Sequence, residues 1–436
     1  MAASYNDTDR QLQFCVDIYF EKGKPLRCLP TDYLVDCTLL EEACADSDTP
    51  VGTPSSNEVS FTLLSQEGMF NPLNANSPYK NLIKTGVQVN VFCRIKDLTT
   101  QTWGDWESLG TFYVSDWQTD VTGVTASVTA YDTLYNLLTE TVTQLPITPN
   151  QSFSELITSF IEANEQTVNI VGTFTDKLSY GYVVDDNKTF LQAFTIGSFS
   201  HLFCDHDGKL KLFDIDMAQE VAHTLTDSDQ IISITSNQSI VDNYDGVEMK
   251  YYNTQISDAQ EILNVKEQTL AGGTQSYTNQ EFSSVPVYAV IYTSMTSENQ
   301  IHLTTFNASS TSVSYTVTGT DGVFDIAFYG CSIDTVAVTL DEPGNNLLSV
   351  DSKYIQNEQR ARLIKSATRK YVLMDVPYIE LEIRGNPRYN IGEKLHIVSK
   401  TNNVDFTGIL IRQEYKYDGG LTSTIKVMSS DVVVGG

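Results

Sequence analysis

The segment NIGEKLHIVSKTNNVDFTGILIRQEYKYDGGLTSTIKV, Asn390 to Val427, repeats a pattern that occurs earlier in the chain. A turn glycine precedes apolar residues that alternate with polar ones, and two more alternating stretches follow, which is the period of antiparallel strands. The earlier segment, Lys84 to Tyr131, reads KTGVQVNVFCRIKDLTTQTWGDWESLGTFYVSDWQTDVTGVTASVTAY. The two segments therefore predict one three-stranded unit that the chain contains twice.

The two segments can be matched strand by strand. The matched pairs are Gly86–Val91 with Gly392–Ile397, Gly110–Val114 with Gly408–Ile411, and Val124–Val128 with Leu421–Ile425. Any two antiparallel meanders share glycines and alternating Val and Thr, so two unrelated meanders are the alternative. We favour a common architecture because three strands recur in the same order.

Length and composition limit the classes of protein to which the chain can belong. A length of 436 residues suits two to four domains, and 41% hydrophobic residues with abundant Thr, Val, Tyr and Ser indicate a folded, strand-rich chain. The seven cysteines are irregularly spaced, so we expect no disulfide framework and synthesis in a reducing cytosol. The chain has neither a standard signal sequence nor a run of about 18 apolar residues, so we expect no membrane-spanning segment.

The charge balance is strongly acidic. With 55 acidic and 27 basic residues the net charge is -28, which repels phosphate backbones and anionic membranes. Sequence-specific nucleic-acid binding is therefore disfavoured. The acidity serves either solubility alone or a channel wall that DNA passes without sticking.

We predict a mainly β, α+β multidomain fold with two tube-like β-barrels. The predicted divisions are 1–145 for the first barrel, 146–224 for a small α+β module, 225–255 plus 375–436 for the second barrel, and 256–374 for an inserted β region followed by a polar helix. Local signals support helices in this arrangement: Asp132 as a cap, Ser152 and Glu155 as a capping box, and an apolar run at 189–199. A polar helix is expected at about 352–371, and His206-Asp207-Gly208 predicts a hairpin turn.

Two imidazoles and a thiol lie within six residues, at His201, Cys204 and His206. These side-chain types bind zinc, but no second ligand pair follows at a recognised spacing, so we predict no metal site. Three acidic pairs are interpreted as solvated loops instead of calcium ligands or paired catalytic carboxylates, because they lack an EF-hand pattern. They are Asp185 with Asp186, Asp205 with Asp207, and Asp214 with Asp216.

The chain has no nucleophile elbow, zinc-protease, P-loop or dinucleotide motif, so we predict no enzyme activity, no catalytic residue and no cofactor. Cys93 and Cys204 lie in apolar strands, which indicates packed thiols. Aromatic side chains form two groups that could stack on sugars, but packing in a core or an interface is the preferred interpretation. The groups are Trp103, Trp106 and Trp117 with Tyr113, and Tyr415 with Tyr417.

Several pieces of the chain, taken in order, resemble the baseplate or tail-tip hub proteins of tailed bacteriophages and related contractile injection systems. They are VGTPSSNEVSFTLLSQEGMFNPLNANSPY, LGTFYVSDW, VTASVTAYDTLYNLL, KTFLQAFTIGSFSHLFCDHDGKLKLFDI, NYDGVEMKYYN, RGNPRYNIGEKLHIV and FTGILIRQEYKYDGGLTSTIKV. No catalytic signature is among them. The region from about 255 to 345 matches no piece of the family.

The resemblance implies a homotrimer in which two barrels per chain form a pseudo-sixfold ring at the virion tail tip or baseplate. Its implied partners are the tail tube or distal tail protein, spike or tail fibre proteins and the tape measure protein, with DNA passing along the axis without specific binding. The chain ends almost directly after the last matched strand, so we expect it to lack the carboxy-terminal extension of longer relatives.

Two other functions stay open at the level of the sequence. In the first, the Ser/Thr-rich region at 255–345 recognises host glycans, as in a receptor-binding tail protein. In the second, the chain is a tail-associated cell-wall hydrolase.

Overall fold

The computed structural model describes Tyr5 and residues 10–45, 49–120, 122–215, 219–227, 231–235, 244–297 and 300–432. The amino-terminal part of the chain is built from strands whose side chains are alternately buried and half-exposed, which is the period of a sheet with one face in a core. These strands are β1 (Gln11–Glu21), β2 (Lys24–Cys28), β3 (Leu34–Glu42), β4 (Glu58–Leu64), β5 (Gln88–Asp97), β6 (Thr102–Trp103), β7 (Glu107–Thr119) and β8 (Thr125–Tyr131).

Helices and short strands follow β8. They are α1 (Thr133–Thr139), β9 (Thr148–Pro149), α2 (Phe153–Ala163), β10 (Val168–Val171), β11 (Tyr180–Gly181), α3 (Asn187–Ser198), β12 (Ser200–Cys204) and β13 (Leu210–Asp214). The predicted capping box is confirmed, because Ser152 and Glu155 satisfy each other's backbone amides at the start of α2. The predicted hairpin is also confirmed, since β12 and β13 are antiparallel across the turn at His206–Gly208.

The next eight strands include the longest in the chain. They are β14 (His223–Thr226), β15 (Ile231–Thr235), β16 (Gly246–Ile256), β17 (Gln260–Glu281), β18 (Val287–Ser297), β19 (His302–Ala308), β20 (Ser312–Leu340) and β21 (Leu347–Asp351). β20 pairs with β16, β17, β18 and β19, so one 29-residue strand organises a six-stranded sheet. Phe324, Ile326 and Phe328 of β20 lie in the apolar core of this sheet.

The last helix and four strands complete the fold. They are α4 (Glu358–Val372), β22 (Tyr378–Arg384), β23 (Lys394–Ser399), β24 (Val404–Tyr417) and β25 (Leu421–Ser429). The polar helix begins six residues later than the expected 352, because the Asn357 side chain accepts the backbone N–H of Arg360 at 2.8 Å and caps it there.

One sheet of fourteen strands joins the two ends of the chain. Its order is β15-β22-β25-β24-β3-β4-β8-β7-β5-β1-β2, with β6 beside β5, and with β23 beside β24 and β14 beside β23. The sheet curls, because Phe14 of β1 and Leu39 of β3 share one core although four strands separate them. A second core gathers strands β22 to β25 with α4. The prediction of a mainly β, multidomain fold is confirmed.

The predicted domain limits remain a prediction, and strand pairing bears on one of them. β14 and β15 join the fourteen-stranded sheet, as expected for the range 225–255. β16 does not: it pairs with β20 on one side and β21 on the other. We therefore propose that the inserted region starts at about 246 instead of 256.

Gly408 lets β24 and β25 approach closely. A Cβ atom at this position would lie 2.1 Å from the carbonyl oxygen of Met428, which is far inside van der Waals contact with rigid backbone. At Gly420, in the hairpin that joins the same two strands, a Cβ atom would meet nothing within 4 Å.

Replacing Gly408 with alanine is expected to lower the free energy of unfolding by about 2 kcal/mol or more, because the backbones of β24 and β25 must separate. The matched variant Gly420→Ala is expected to stay within about 0.5 kcal/mol of the parent. Urea unfolding of the three proteins measures both values. Equal stability of Gly408→Ala and the parent would show that the close approach does not constrain the sheet.

Candidate assembly site

Two groups of six strands have the same spatial order. We call β1-β5-β7-β8-β4-β3 the first unit and β14-β23-β24-β25-β22-β15 the second unit. Neighbouring strands are antiparallel throughout both units, with one exception: β14 runs parallel to β23, whereas β1 is antiparallel to β5. The fold therefore repeats a six-stranded arrangement that differs at one outer strand.

Gly86 and Gly392 occupy equivalent positions in the two units. Both have positive φ, 79° and 91°, which glycine adopts without steric cost. The Gly86 N–H donates to the carbonyl of Val114 at 2.7 Å, and the Gly392 N–H donates to that of Leu410 at 2.8 Å. The N–H of Val114 and that of Leu410 each donate back to the residue after the glycine. Val114 in β7 is thus the counterpart of Leu410 in β24.

A β-bulge follows each of these counterparts directly. The register of β7 on β8 shifts between Val114 and Asp116, and that of β24 on β25 shifts between Leu410 and Arg412. Bulges bend a strand and increase its twist, so the two units bend at the same point.

Beyond the bulges the registers still agree. Trp117 lies opposite Val128 and Gln413 lies opposite Ile425, which confirms the predicted match of Val128 with Ile425.

The predicted match of Gly110 with Gly408 is wrong by two residues. Val89 pairs with Phe112, whereas its counterpart Leu395 pairs with Gly408. The physical reason is that glycine is needed at 408 because the carbonyl of Met428 approaches closely. This contact does not depend on the repeat.

The ends of the units also correspond. The Asp132 carboxylate accepts the backbone N–H of Leu134 at 2.9 Å and begins α1, as predicted for this cap. Ser429 accepts the backbone N–H of Asp431 at 3.2 Å at the start of a short 3-10 turn. Both units therefore finish in a capped helical turn.

The outer strands β3 and β15 share a second bulge. The register of β3 on β4 shifts between Leu34 and Asp36, and that of β15 on β22 shifts between Ile231 and Ser233. The extra residues, Val35 and Ile232, are 48% and 52% exposed. β15 is thus the counterpart of β3 residue by residue over its described length.

The two units lie side by side because β3 pairs with β24. The pairing runs from Arg412 opposite Glu42 to Tyr417 opposite Cys37. Tyr417 stacks on Phe14 of β1 with ring centroids 4.8 Å apart, and the buried Tyr415 hydroxyl donates to the carbonyl of Asn386 at 3.2 Å. These contacts place both tyrosines in the junction between the units.

A buried ion pair ties the helical module to this junction. Glu41 of β3 is 2% exposed, and its carboxylate lies 2.8 Å from Nε2 of His206. Burial disfavours the charged imidazole, but Glu41, with smaller contributions from Asp205 and Glu393, acts in the opposite direction, and the pKa of His206 is raised. Removing either partner would leave a buried charge without its counter-ion.

The structure does not bring together the three side chains considered for a metal. His201 Nε2 lies 2.8 Å from the carbonyl oxygen of Pro50, Cys204 Sγ lies 3.3 Å from Thr133 Oγ1, and His206 faces Glu41. Within the described ranges, no group of three or more His, Cys, Asp or Glu side chains is arranged to hold a metal ion.

The acidic pairs have separate structural partners. Asp185 pairs with Lys353 at 2.9 Å, Asp186 caps α3, and Asp205 accepts two amides of the hairpin turn. Asp207 lies 3.6 Å from Lys209, and Asp214 accepts the N–H of Thr173 at 3.3 Å. Asp216 lies outside the described residues.

Aromatic side chains and thiols are placed mainly by packing. The Trp117 indole N–H donates to the carbonyl of Phe70, and the Arg94 guanidinium lies 4.8 Å and 4.2 Å from the ring centroids of Trp103 and Trp106. Cys93 and Cys204 are buried, and burial raises the pKa of both thiols.

No helix among the described residues is long and apolar enough to cross a bilayer.

His201 is fully buried, and burial lowers its pKa to about 4, although the Pro50 carbonyl acts in the opposite direction. Between pH 6.5 and 4 the unfolded chain binds this proton and the folded chain does not, so folding loses stability as the pH falls. Thr195 supplies a neutral comparison, because its hydroxyl donates to the carbonyl of Gly52 in the same loop at 2.7 Å.

We expect the stability advantage of the parent over His201→Gln to shrink by on the order of 3 kcal/mol at most between pH 7.5 and 4.5. Thr195→Val should cost about 1 kcal/mol at every pH. Denaturant unfolding across this pH range measures both differences. A difference between the parent and His201→Gln that does not vary with pH would contradict the buried, neutral state of His201.

Two solved structures cover nearly the whole chain. The 43 kDa tail protein of prophage MuSo2 from Shewanella oneidensis is 12% identical, with a TM-score of 0.53 over 97% of this chain and 99% of that one. The tail protein from Neisseria meningitidis MC58 is 9% identical, with a TM-score of 0.52 over 97% of this chain and 98% of that one. No protein-family model and no curated protein matches the sequence. The chain thus has the fold of these two tail proteins, and the resemblance to phage tail and baseplate proteins is confirmed at the level of the fold.

Proposed function

We propose that this chain is a structural protein of a phage tail or baseplate, and that it assembles as a homotrimeric hub. The observation that carries the proposal is the internal repeat: two six-stranded units with the same strand order, bulges and terminal caps lie side by side in one sheet. The shared fold with two tail proteins supports the same role.

The repeat gives the hub its symmetry. Three chains with two similar units each present six similar units around one axis, so a threefold assembly can dock on a sixfold one. The proposed sixfold partner is the tail tube or distal tail protein. The proposed threefold partners are spike or tail fibre proteins, and the tape measure protein is a further candidate partner.

The acidic balance supports an axial channel. A net charge of -28 keeps a polyanion from adhering to the wall, so DNA can pass without specific binding. We place the chain in the virion, at the tail tip or baseplate, after synthesis in the cytoplasm of the bacterial host. The proposed role needs no chemistry, and Asp185, Asp186 and Cys204, which were considered as reactive groups, are engaged in structural contacts.

Native mass spectrometry of the purified full-length chain tests the trimer. Three chains of 48.5 kDa give a particle of about 145 kDa, and we expect this species to dominate at high protein concentration. Dilution should release monomers, because the equilibrium between three monomers and one trimer shifts toward monomers as the concentration falls. A monomer, a dimer or a tetramer as the main species at the highest soluble concentration would contradict the proposed hub.

A further inference from the structure

The inserted sheet has a polar groove to which the proposed hub assigns no role. The groove encloses about 280 Å³ on one face of the sheet, where β20 lies between β17 and β18. Phe324 and Phe328 of β20 lie in the apolar core of the sheet. Because side chains alternate along a strand, Asp325, Ala327 and Tyr329 face the groove instead. The groove therefore lies on the face opposite the core.

Ala327 forms the floor of the groove because its side chain is the smallest in the central row. Across the three strands, Asn264 of β17 lies opposite Ala327 on one side and Ser294 of β18 lies opposite it on the other. Asp325 and Tyr329, two residues away along β20, are larger and form the two ends. The result is a depression with polar side chains around a small apolar floor.

Irregular pairing on both sides of β20 shapes the groove. The register of β17 on β20 shifts around Lys266, and that of β18 on β20 shifts around Thr293. Both shifts lie opposite the same stretch of β20, from 324 to 328. Bulges bend a strand and redirect its side chains, and Lys266 and Thr293 both line the groove.

Two polar groups of the groove are held in place by backbone hydrogen bonds. The Asp325 carboxylate accepts the N–H of Glu267 at 2.7 Å, and the Thr293 hydroxyl donates to the carbonyl of Ala327 at 3.1 Å. The carboxylate and the hydroxyl oxygen can each accept a further hydrogen bond. These acceptors are thus ordered before a ligand arrives, which lowers the entropic cost of binding.

The composition of the lining excludes several classes of ligand. Eight of the ten lining residues have polar side chains, so the groove does not suit an apolar ligand. Two carboxylates against one ammonium group disfavour an anion. Among the residues that the structure describes, no group of three His, Cys, Asp or Glu side chains could hold a metal ion. The ten residues are Glu261, Asn264, Lys266, Thr293, Ser294, Thr296, Asp325, Ile326, Ala327 and Tyr329.

A neutral polyhydroxylated ligand matches this lining. Each hydroxyl group of a sugar both donates and accepts, and the groove offers amide, hydroxyl, carboxylate and ammonium groups as partners. The half-buried ring of Tyr329 adds an apolar face against which a sugar ring can pack.

We propose that this groove binds a neutral saccharide. Tyr329 packs against one face of a sugar ring, and Asn264 and Asp325 form hydrogen bonds with its hydroxyl groups. The site goes beyond the hub role and does not depend on the oligomeric state, because all of its residues come from one chain. It assigns to particular residues the glycan recognition that the composition of 255–345 left open.

A glycan microarray of neutral oligosaccharides and bacterial surface polysaccharides tests the site with the full-length chain. The neutral glycan with the strongest signal is then titrated by isothermal calorimetry. We expect Asn264→Ala and Tyr329→Ala each to weaken binding about tenfold or more, because each removes a ligand contact. Ala327→Gln fills the floor and should weaken binding as much without removing a polar group. The matched control Asn307→Ala, at an exposed position of β19 outside the groove, should bind like the parent.

Three results would overturn the proposal. The first is a folded parent chain that binds no neutral glycan on the array. The second is equal binding by Asn264→Ala, Ala327→Gln and the Asn307→Ala control, which would place the ligand elsewhere. The third is binding of anionic glycans alone, lost in Lys266→Ala, which would show another class of ligand.

Native mass spectrometry of the same proteins keeps this inference separate from the proposed function. A trimer that binds no neutral glycan contradicts the saccharide site and leaves the hub intact. A chain that binds a neutral glycan through the groove but forms no trimer contradicts the hub and leaves the saccharide site intact.

Discussion

The pairing of β3 with β24 is the constraint on which the rest of the structure depends. Backbone hydrogen bonds between residues of the two ends of the chain merge two units into one sheet, so their relative orientation is set by strand geometry and not by a flexible linker. Side-chain contacts between the two units reinforce it: Phe14 stacks on Tyr417, and Arg388 pairs with Glu107 at 2.6 Å. The proposed hub, which presents two equivalent units to its partner, needs this fixed geometry.

The helical module and the inserted sheet are attached to this framework in different ways. The module reaches the junction through His206, whose imidazole is held beside the buried Glu41, and through Asn57, whose amide donates to the carbonyl of Cys204 at 3.0 Å. The inserted sheet continues from β16 and has a separate core among β17 to β20, but Met249 of β16 and Val350 of β21 lie in the core of the second unit. The near end of the inserted sheet is therefore part of the framework, whereas its far end has a core of its own.

Local signals in the sequence predicted local structure well. The caps at Asp132 and Ser152, the hairpin at His206 and the alternation in β5, β8 and β25 each depend on a few neighbouring residues, and each is present. The repeat was also predictable, since Gly86 and Gly392 mark the same turn. The register of the second strand of the repeat, β7 or β24, was not predictable. Glycine is present at 408 because of a contact with Met428, and this contact is visible only when β24 and β25 are paired.

The pairing of strands that are far apart in the chain could not be predicted from the sequence. No residue in or near β3 or β24 indicates that these two strands pair. β16 has the alternation of a barrel strand, although it belongs to another sheet. The equivalence of β3 and β15 depends on a bulge in each strand, which leaves no clear mark in IISIT or LVDCT.

The central claim is that six equivalent units surround one axis. A three-dimensional electron cryo-microscopy reconstruction of the assembled chain, refined with threefold symmetry alone, tests it most directly. We expect that a rotation of roughly 60° about the axis superposes each first unit on the neighbouring second unit. A trimer whose two units lie at different radii, or whose chains meet through the inserted sheet, would contradict it.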